Sequence, residues 1–294
     1  MILLNQFLKF LKYKKKHIKY QLKSKEFYYD LHSKYSKTQG CLVHKRDVPL
    51  IISITTFGKR INKVYLCIET LLRQTVKPDY IILWLSNNLR NEKLPSSLIR
   101  LIKRGLIIKF CNDIGPYKKI IYTLKENRFS IIVTADDDVF YPSNWLQLLY
   151  EAYLKDPQYI YCHRAHLINK KSDGTIANYD DWDYLSQGII GPSLRLFPTG
   201  VGGVLYPPGS LHDEVHNEEI FMKLSPYNDD IWLKAMSLLN GVPCKKIAAY
   251  FDEFTTIRGT QSEALFIQNA LNNKNDKQLK STFDHYKLHK LIQD

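Results

Sequence analysis

Asp136, Asp137 and Asp138 stand side by side behind the apolar run IIVTA at 131–135. Adjacent carboxylates repel and raise one another's pKa, so such a triplet at the end of a buried strand needs a positive partner. Alternate side chains of an extended segment point the same way, which lets Asp136 and Asp138 address one ion. Oxygen ligands of this kind suit a hard divalent cation, Mg²⁺ or Mn²⁺. A cation held there could neutralise charge on a departing diphosphate. A solvated turn, with Asp137 or Asp138 capping the following helix, fits the same residues. An EF-hand does not, because its spaced loop ligands and distal glutamate are missing.

The elements around the triplet alternate. VPLIISITTF (48–57), DYIILWLS (79–86), LIIKFCND (106–113) and SIIVTADDD (130–138) read as strands. Between and after them INKVYLCIETLLRQT (61–75), SSLIRLIKRG (96–105), YKKIIYTLKEN (117–127) and NWLQLLYEAYLKDP (144–157) have helical spacing. Strands and helices alternating in this way predict an α/β fold, a mainly parallel sheet with helices on both faces. Ligands of such sheets bind beyond the carboxyl ends of the strands, where the triplet lies. No GxxxxGK[ST] or GxGxxG loop follows the first strand, which removes support from P-loop and dinucleotide-binding readings. Beyond residue 160 the pattern loosens. YIYCHRAH (159–166) reads as a strand, 170–198 as loop, PTGVGGVLYPPGSL (198–211) as a glycine-rich turn region, and NDDIWLKAMSLLNG (228–241) as a helix with an acidic start.

The chain has 294 residues and a formal charge of +13, and that charge is unevenly spread. Residues 1–46 hold twelve Lys and Arg against Glu26 and Asp30, a net +10 that leaves +3 for the other 248. The first segment, with Leu4, Phe7, Leu8, Leu11, Ile18 and Leu22 near helical spacing between lysines, reads as a basic amphipathic helix. Such a helix can lie on an anionic membrane surface, or remain a solvated or partner-binding tail. Its apolar run falls far short of the ~20 residues needed to span a bilayer. It also lacks the basic start and small-residue cleavage site of a secretion signal. The five cysteines are scattered and form no CxxC pair, so neither a disulfide framework nor a zinc site is expected, and a reducing compartment fits best.

Five segments, in order along 48–245, resemble those of GT-A glycosyltransferases, in particular glycosyltransferase family 2 and its bacterial relatives. TADDDVFYP resembles the DxD motif, and the stretch from IISITTF to IILWLS resembles the nucleotide-binding opening. DIGPYKKI resembles a GPxxK segment, TGVGGVLYPP a donor and acceptor loop, and NDDIWLKAM the acidic helix start that supplies a base. The resemblance implies a GT-A (Rossmann-like) fold with a leader over 1–46 and a catalytic domain over 47–294. The nucleotide-binding half would span about 47–160 and the acceptor half about 161–294. It implies metal ligation by Asp136 and Asp138, with Asp137 on metal, ribose or neither. Donor contacts fall to Thr55, Arg60, Asp113, Lys119, Asp136, Asp137, Gly202 and Gly203. Asp230 takes the role of base and Asp229 orients the acceptor, with Asp in place of the family's more usual Glu at 229. Each position also has a plain structural reading: turn hydroxyl, surface charge, strand bulge or helix N-terminal carboxylate. His163, His166, His212 and His216 fall in the irregular half, as structural residues or as a third ligand.

The function so implied is a metal-dependent inverting glycosyltransferase of bacterial lipopolysaccharide or capsule assembly. It would use Mn²⁺ or Mg²⁺, a nucleotide-sugar donor (a UDP-sugar) and a carbohydrate or lipid-linked acceptor. The expected location is cytoplasmic, peripheral on the inner face of the cell membrane. Two rivals stand beside it. A sugar nucleotidyltransferase shares the sheet and the metal carboxylates, though SITTFGKR (53–60) lacks the glycine density of its usual opening loop. A non-catalytic membrane- or nucleic-acid-binding protein would use the lysine helix, but the nearly neutral body offers no broad basic face and no nucleic-acid partner is expected.

Overall fold

The computed structural model describes residues 2–260 and 274–292. Helix α1 (Ile2–Tyr35) leads the chain. Then come β1 (Leu50–Thr55), α2 (Val64–Leu72), β2 (Tyr80–Ser86), α3 (Ser96–Ile102), β3 (Leu106–Cys111), α4 (Lys118–Glu126) and β4 (Ile131–Ala135). The second half comprises β5 (Val139–Phe140), α5 (Trp145–Lys155), β6 (Ile160–Cys162), β7 (Ala165–Leu167), β8 (Leu196–Pro198) and β9 (Val204–Tyr206). It closes with α6 (Glu218–Leu224), α7 (Asp229–Leu239), β10 (Cys244–Lys246), β11 (Thr255–Thr256) and α8 (Lys274–Tyr286).

A seven-stranded sheet runs β10-β6-β9-β4-β1-β2-β3. It is mainly parallel, as expected: β4, β1, β2 and β3 are mutually parallel, as are β10 and β6. Only β9 runs against its neighbours β4 and β6. Side chains of a strand alternate between faces, and in β4 Ile132 joins one core while Ile131, Val133 and Ala135 join the other. The first core is closed by α4 and α7 through Ile120, Ile121, Trp232 and Met236. The second is closed by α2 and α5 through Ile68, Leu71, Trp145 and Leu149. In β1 the small Ser53 replaces an apolar residue, and its hydroxyl bonds the Lys119 carbonyl and the Thr123 hydroxyl of α4. That contact seats α4 against the strand ends.

The predicted strand over 159–166 is two strands. β6 belongs to the main sheet and β7 pairs with β8 outside it. The break falls at His163, whose ring nitrogen meets the Trp145 carbonyl at 3.1 Å while its backbone N–H donates to the Gly203 carbonyl. Buried against Trp145 and Phe254, His163 diverts the chain and carries Arg164 out of the sheet.

The last third of α1 is docked on the body. Tyr29 stacks on Phe140 with centroids 5.2 Å apart, and Glu26 accepts the backbone N–H and guanidinium of Arg258. Asp30 accepts the Tyr65 hydroxyl at 3.0 Å. The side chains of Leu4, Phe7, Leu8 and Leu11, counted in the predicted apolar face, lie outside the described residues, while Ile18 and Tyr20 are exposed. We expect deletion of residues 1–20 to leave urea-unfolding stability near wild type. Deletion through residue 35 strips Tyr29 from Phe140 and should cost about 2 kcal/mol or more, given the usual value of one buried aromatic side chain. Equal losses from both truncations would contradict this.

Candidate active site

β4 ends at Ala135 and the chain turns, so Asp136, Asp137 and Asp138 project together into a cleft of about 250 Å³ at the carboxyl ends of β1 and β4. The cleft contains no free triplet of charges, because the protein supplies its own cations. Arg60, placed by a tight turn over Gly58–Asn62, reaches Asp137 at 2.7 Å and Asp138 at 3.0 Å. Its Nε donates to the Thr260 carbonyl at 2.9 Å. Asp137 is buried and also accepts the Thr56 hydroxyl. Burial pushes its carboxyl up, while Arg60 and Thr56 pull it the other way.

Lys119 serves the remaining carboxylates. Its ammonium lies 3.1 Å from Asp136 and 3.3 Å from Asp229. Lys118 and Lys119 occupy the first turn of α4, where the helix dipole disfavours cations, and each has a carboxylate to offset this. Lys118 takes Asp113, and Lys119 takes Asp136 and Asp229. Burial disfavours the Lys119 ammonium, yet Asp136, Asp229 and Asp230 outweigh burial and hold its pKa above the ordinary value.

Asp230 is not the helix cap. Asn228 caps α7 by accepting the N–H of Ile231, which releases Asp230 to turn back and accept the Gly200 N–H with both oxygens at 3.0 Å. Burial and the neighbouring Asp229 push its carboxyl up to about 7, against the pull of Lys119 and the Gly200 N–H. A carboxyl poised near neutrality beside a cleft is suited to take a proton.

The other predicted positions divide. Thr55 lines the cleft, with its hydroxyl donating to the Trp84 carbonyl at 2.9 Å. Asp113 lies outside it; the side chain is 60% exposed, pairing with Lys118 and accepting the Gly115 N–H. Gly202 and Gly203 also fall outside the cleft. Both have positive φ, and a Cβ on Gly203 would stand 2.4 Å from Trp145 Cζ2, so these glycines let the loop close on Trp145. The glycine at the cleft is Gly200, where a Cβ would stand 3.3 Å from Lys119 Nζ and 3.4 Å from Asp230. Of the four histidines none lines the cleft. Burial lowers His163 to about 4 and His166 to about 3, and His212 accepts the Glu214 N–H. Arg164, Tyr179, Thr199 and Asn275 also line the cleft and carry no signal in the sequence.

Among the described residues no group of three His, Cys, Asp or Glu is disposed to hold a metal ion. The donors present still suit Mg²⁺, which is commonly held by one or two carboxylates together with substrate phosphates. Asp136 and Asp138 both face the cleft. Asp229 Oδ2 is buried without a hydrogen-bond partner, its 3.3 Å contact with Lys119 being a charge contact rather than an aligned bond.

No protein-family model and no curated protein matches the chain. Among solved structures it is similar to CMP:2-keto-3-deoxy-manno-octonic acid synthetase complexed with CTP. That match is 11% identical, covers 76% of this chain and 98% of that one, and has a TM-score of 0.42. It is also similar to the inositol-1-phosphate CTP transferase from T. maritima, 11% identical over 82% of this chain and 98% of that one, again with a TM-score of 0.42. The expected inverting glycosyltransferase is corrected: the two structures are a synthetase complexed with CTP and a CTP transferase. The motif order that pointed to sugar transfer belongs to the sheet and its acidic strand end, which different reactions share.

Lys119→Met leaves three carboxylates around one apolar side chain. Removing one partner of a buried ion pair typically costs about 3–5 kcal/mol, and we expect a loss of that size in chemical denaturation. Adding Asp136→Asn should recover part of it; strictly additive losses would show that the two groups are not coupled.

Proposed function

We propose that the protein is a nucleotidyltransferase that joins a nucleotide to a hydroxyl of a sugar-like second substrate. The observation that carries the reading is the cluster of Lys119, Asp136, Asp229 and Asp230 at the strand ends, with Asp230 held by the Gly200 N–H and its carboxyl raised toward neutrality. In this reading Arg60 and Lys119 face the phosphates of a nucleoside triphosphate, and the rim built from Thr199, Gly200 and Asp230 receives the second substrate. Asp230 takes the proton of the attacking hydroxyl. The hydroxyl oxygen forms a bond to the α-phosphorus, the bond from that phosphorus to the β-phosphate oxygen breaks, and pyrophosphate leaves with the electron pair. A divalent cation on Asp136 and Asp138, when bound, supplies charge neutralisation for the triphosphate. Lys119 steadies the phosphates as a point charge and keeps Asp230 from rising further.

Asp230→Asn separates chemistry from structure. We expect turnover to fall at least about a hundredfold, the usual scale of general-base help, with Mg²⁺–nucleotide binding retained. Wild-type kcat/KM should rise with pH through about 7 as Asp230 ionises and the variant should lose that limb. Stability responds in the opposite sense. The folded-state pKa lies above the unfolded value, so the contribution of Asp230 is fully present below the ordinary 3.8 and is lost as pH rises through about 7. Asn should flatten that slope. A near-normal rate for Asp230→Asn, or pyrophosphate release undiminished by EDTA, would overturn the proposed roles of the base or the cation.

Peripheral attachment through α1 belongs to the same proposal. Lys14, Lys15, Lys16, Lys19 and Lys23 are exposed along it together with Ile18 and Tyr20, and no helix among the described residues is long and apolar enough to cross a membrane. Each lysine near an anionic surface contributes about 1 kcal/mol. Co-sedimentation with phosphatidylserine vesicles should therefore fade with salt and vanish on deletion of residues 1–20. Sedimentation of the truncated chain would place the attachment elsewhere.

A further inference from the structure

Among the described residues Arg164 is a cleft cation without a counter-charge. Arg60 and Lys119 each sit between two carboxylates, whereas Arg164, only 7% exposed, takes part in no ion pair among the described residues. Its Nη1 donates to the Thr199 hydroxyl at 2.7 Å and its Nη2 to the Tyr184 hydroxyl, and the guanidinium lies over the Tyr184 ring at 5.0 Å. Its Nε is buried with no hydrogen-bond partner. A guanidinium cannot shed its proton to escape burial, and an unpaired buried charge is far costlier than a paired one. Neutral hydroxyls and an aromatic face orient such a group without neutralising it. Arg164 lines the cleft, and a guanidinium is the group that takes a phosphate or carboxylate through two parallel bonds.

The position identifies which ligand brings the anion. Thr199, which steadies Nη1, immediately precedes Gly200, whose N–H holds Asp230. Tyr179 lies within electrostatic reach of both Arg164 and Asp230. Arg164 thus belongs to the Thr199–Gly200–Asp230 rim of the cleft. We propose that Arg164 binds a phosphate or carboxylate carried by the second substrate, which makes that substrate an anionic sugar or polyol. The identity of the substrate rests on the nucleotidyl-transfer reading; the anion site rests on Arg164 alone.

The test compares melting of the full-length wild type and Arg164→Met in plain buffer, with inorganic phosphate, with glucuronate, and with Mg²⁺–CTP. Arg164→Met should melt at or above wild type in buffer, because the uncompensated charge is gone. Phosphate or glucuronate should raise the melting temperature of wild type only, and the stronger of the two tells which oxyanion is preferred. Mg²⁺–CTP should raise both proteins. A variant that melts well below wild type yet keeps the anion shift would make Arg164 structural and overturn the proposal. Loss of the CTP shift as well would assign Arg164 to the nucleotide and overturn it too. An Arg164-dependent anion shift with no CTP shift in wild type would support the anion site and sink the nucleotide reading. Should Arg164→Met fail to fold, Arg164→Lys keeps the charge without the fork and should bind phosphate about tenfold more weakly; unchanged affinity would overturn the proposal.

Discussion

The Lys119 ammonium is the one group on which the site depends. It lies within 3.3 Å of Asp136, at the end of β4, and of Asp229, at the start of α7, and so ties the first half of the fold to the second. Its own position is set from behind by Ser53 of β1, which bonds the Lys119 carbonyl, and by Thr123, which takes the Trp84 indole N–H at 2.7 Å. Tyr117, two residues earlier, reaches across to the Ser225 carbonyl at the turn into α7. Both ends of the lysine are therefore fixed by core contacts, and the carboxylates it neutralises can stand close together at a cost the fold can bear.

Around that lysine the charges form a graded arrangement. Arg60 takes the buried Asp137 and the neighbouring Asp138, a pairing that confines their oxygens to the cleft rim. Asp230 is left with a backbone N–H and the partial influence of Lys119, and burial carries its carboxyl toward neutrality. Among the described residues Arg164 is left with two hydroxyls and the Tyr184 ring. The sequence from fully paired to unpaired runs from the first half of the chain to the second. The groups nearest the strand ends are paired, and those along the Gly200 rim have electrostatic needs that the described residues meet only in part.

Ordered motifs shape the cleft without choosing its reaction. An acidic triplet after a buried strand, a lysine opening a helix and an acidic helix start gather charge beyond the carboxyl ends of a parallel sheet, where such folds bind ligands. They are not requirements for breaking one particular bond. The glycines singled out at 202 and 203 illustrate the point: both take positive φ, and at Gly203 the Trp145 indole leaves no room for a Cβ.

By itself the sequence determined the alternation of strands and helices, the mainly parallel sheet and the placing of Asp136–Asp138 at a strand end. All of these follow from periodicities of two and 3.6 residues that neighbours in the chain enforce. Arg60, Lys119, Asp229 and Asp230 are singled out by the family resemblance, beside plain readings as surface or helix-start charges. The tertiary structure alone decided who pairs with whom. It turned Asp113 out to Lys118, placed Asn228 rather than Asp230 at the helix cap, drew Gly200 into the cleft and inserted β9 antiparallel between β4 and β6. It also broke the expected strand at His163 and delivered Arg164 to the cleft. The Asn228 cap and the Asp113–Lys118 pair are contacts between chain neighbours, settled among several nearby candidates; the other outcomes join segments far apart in the chain and have no local signature. The energy of a buried charge depends on what the whole fold brings within a few ångströms of it.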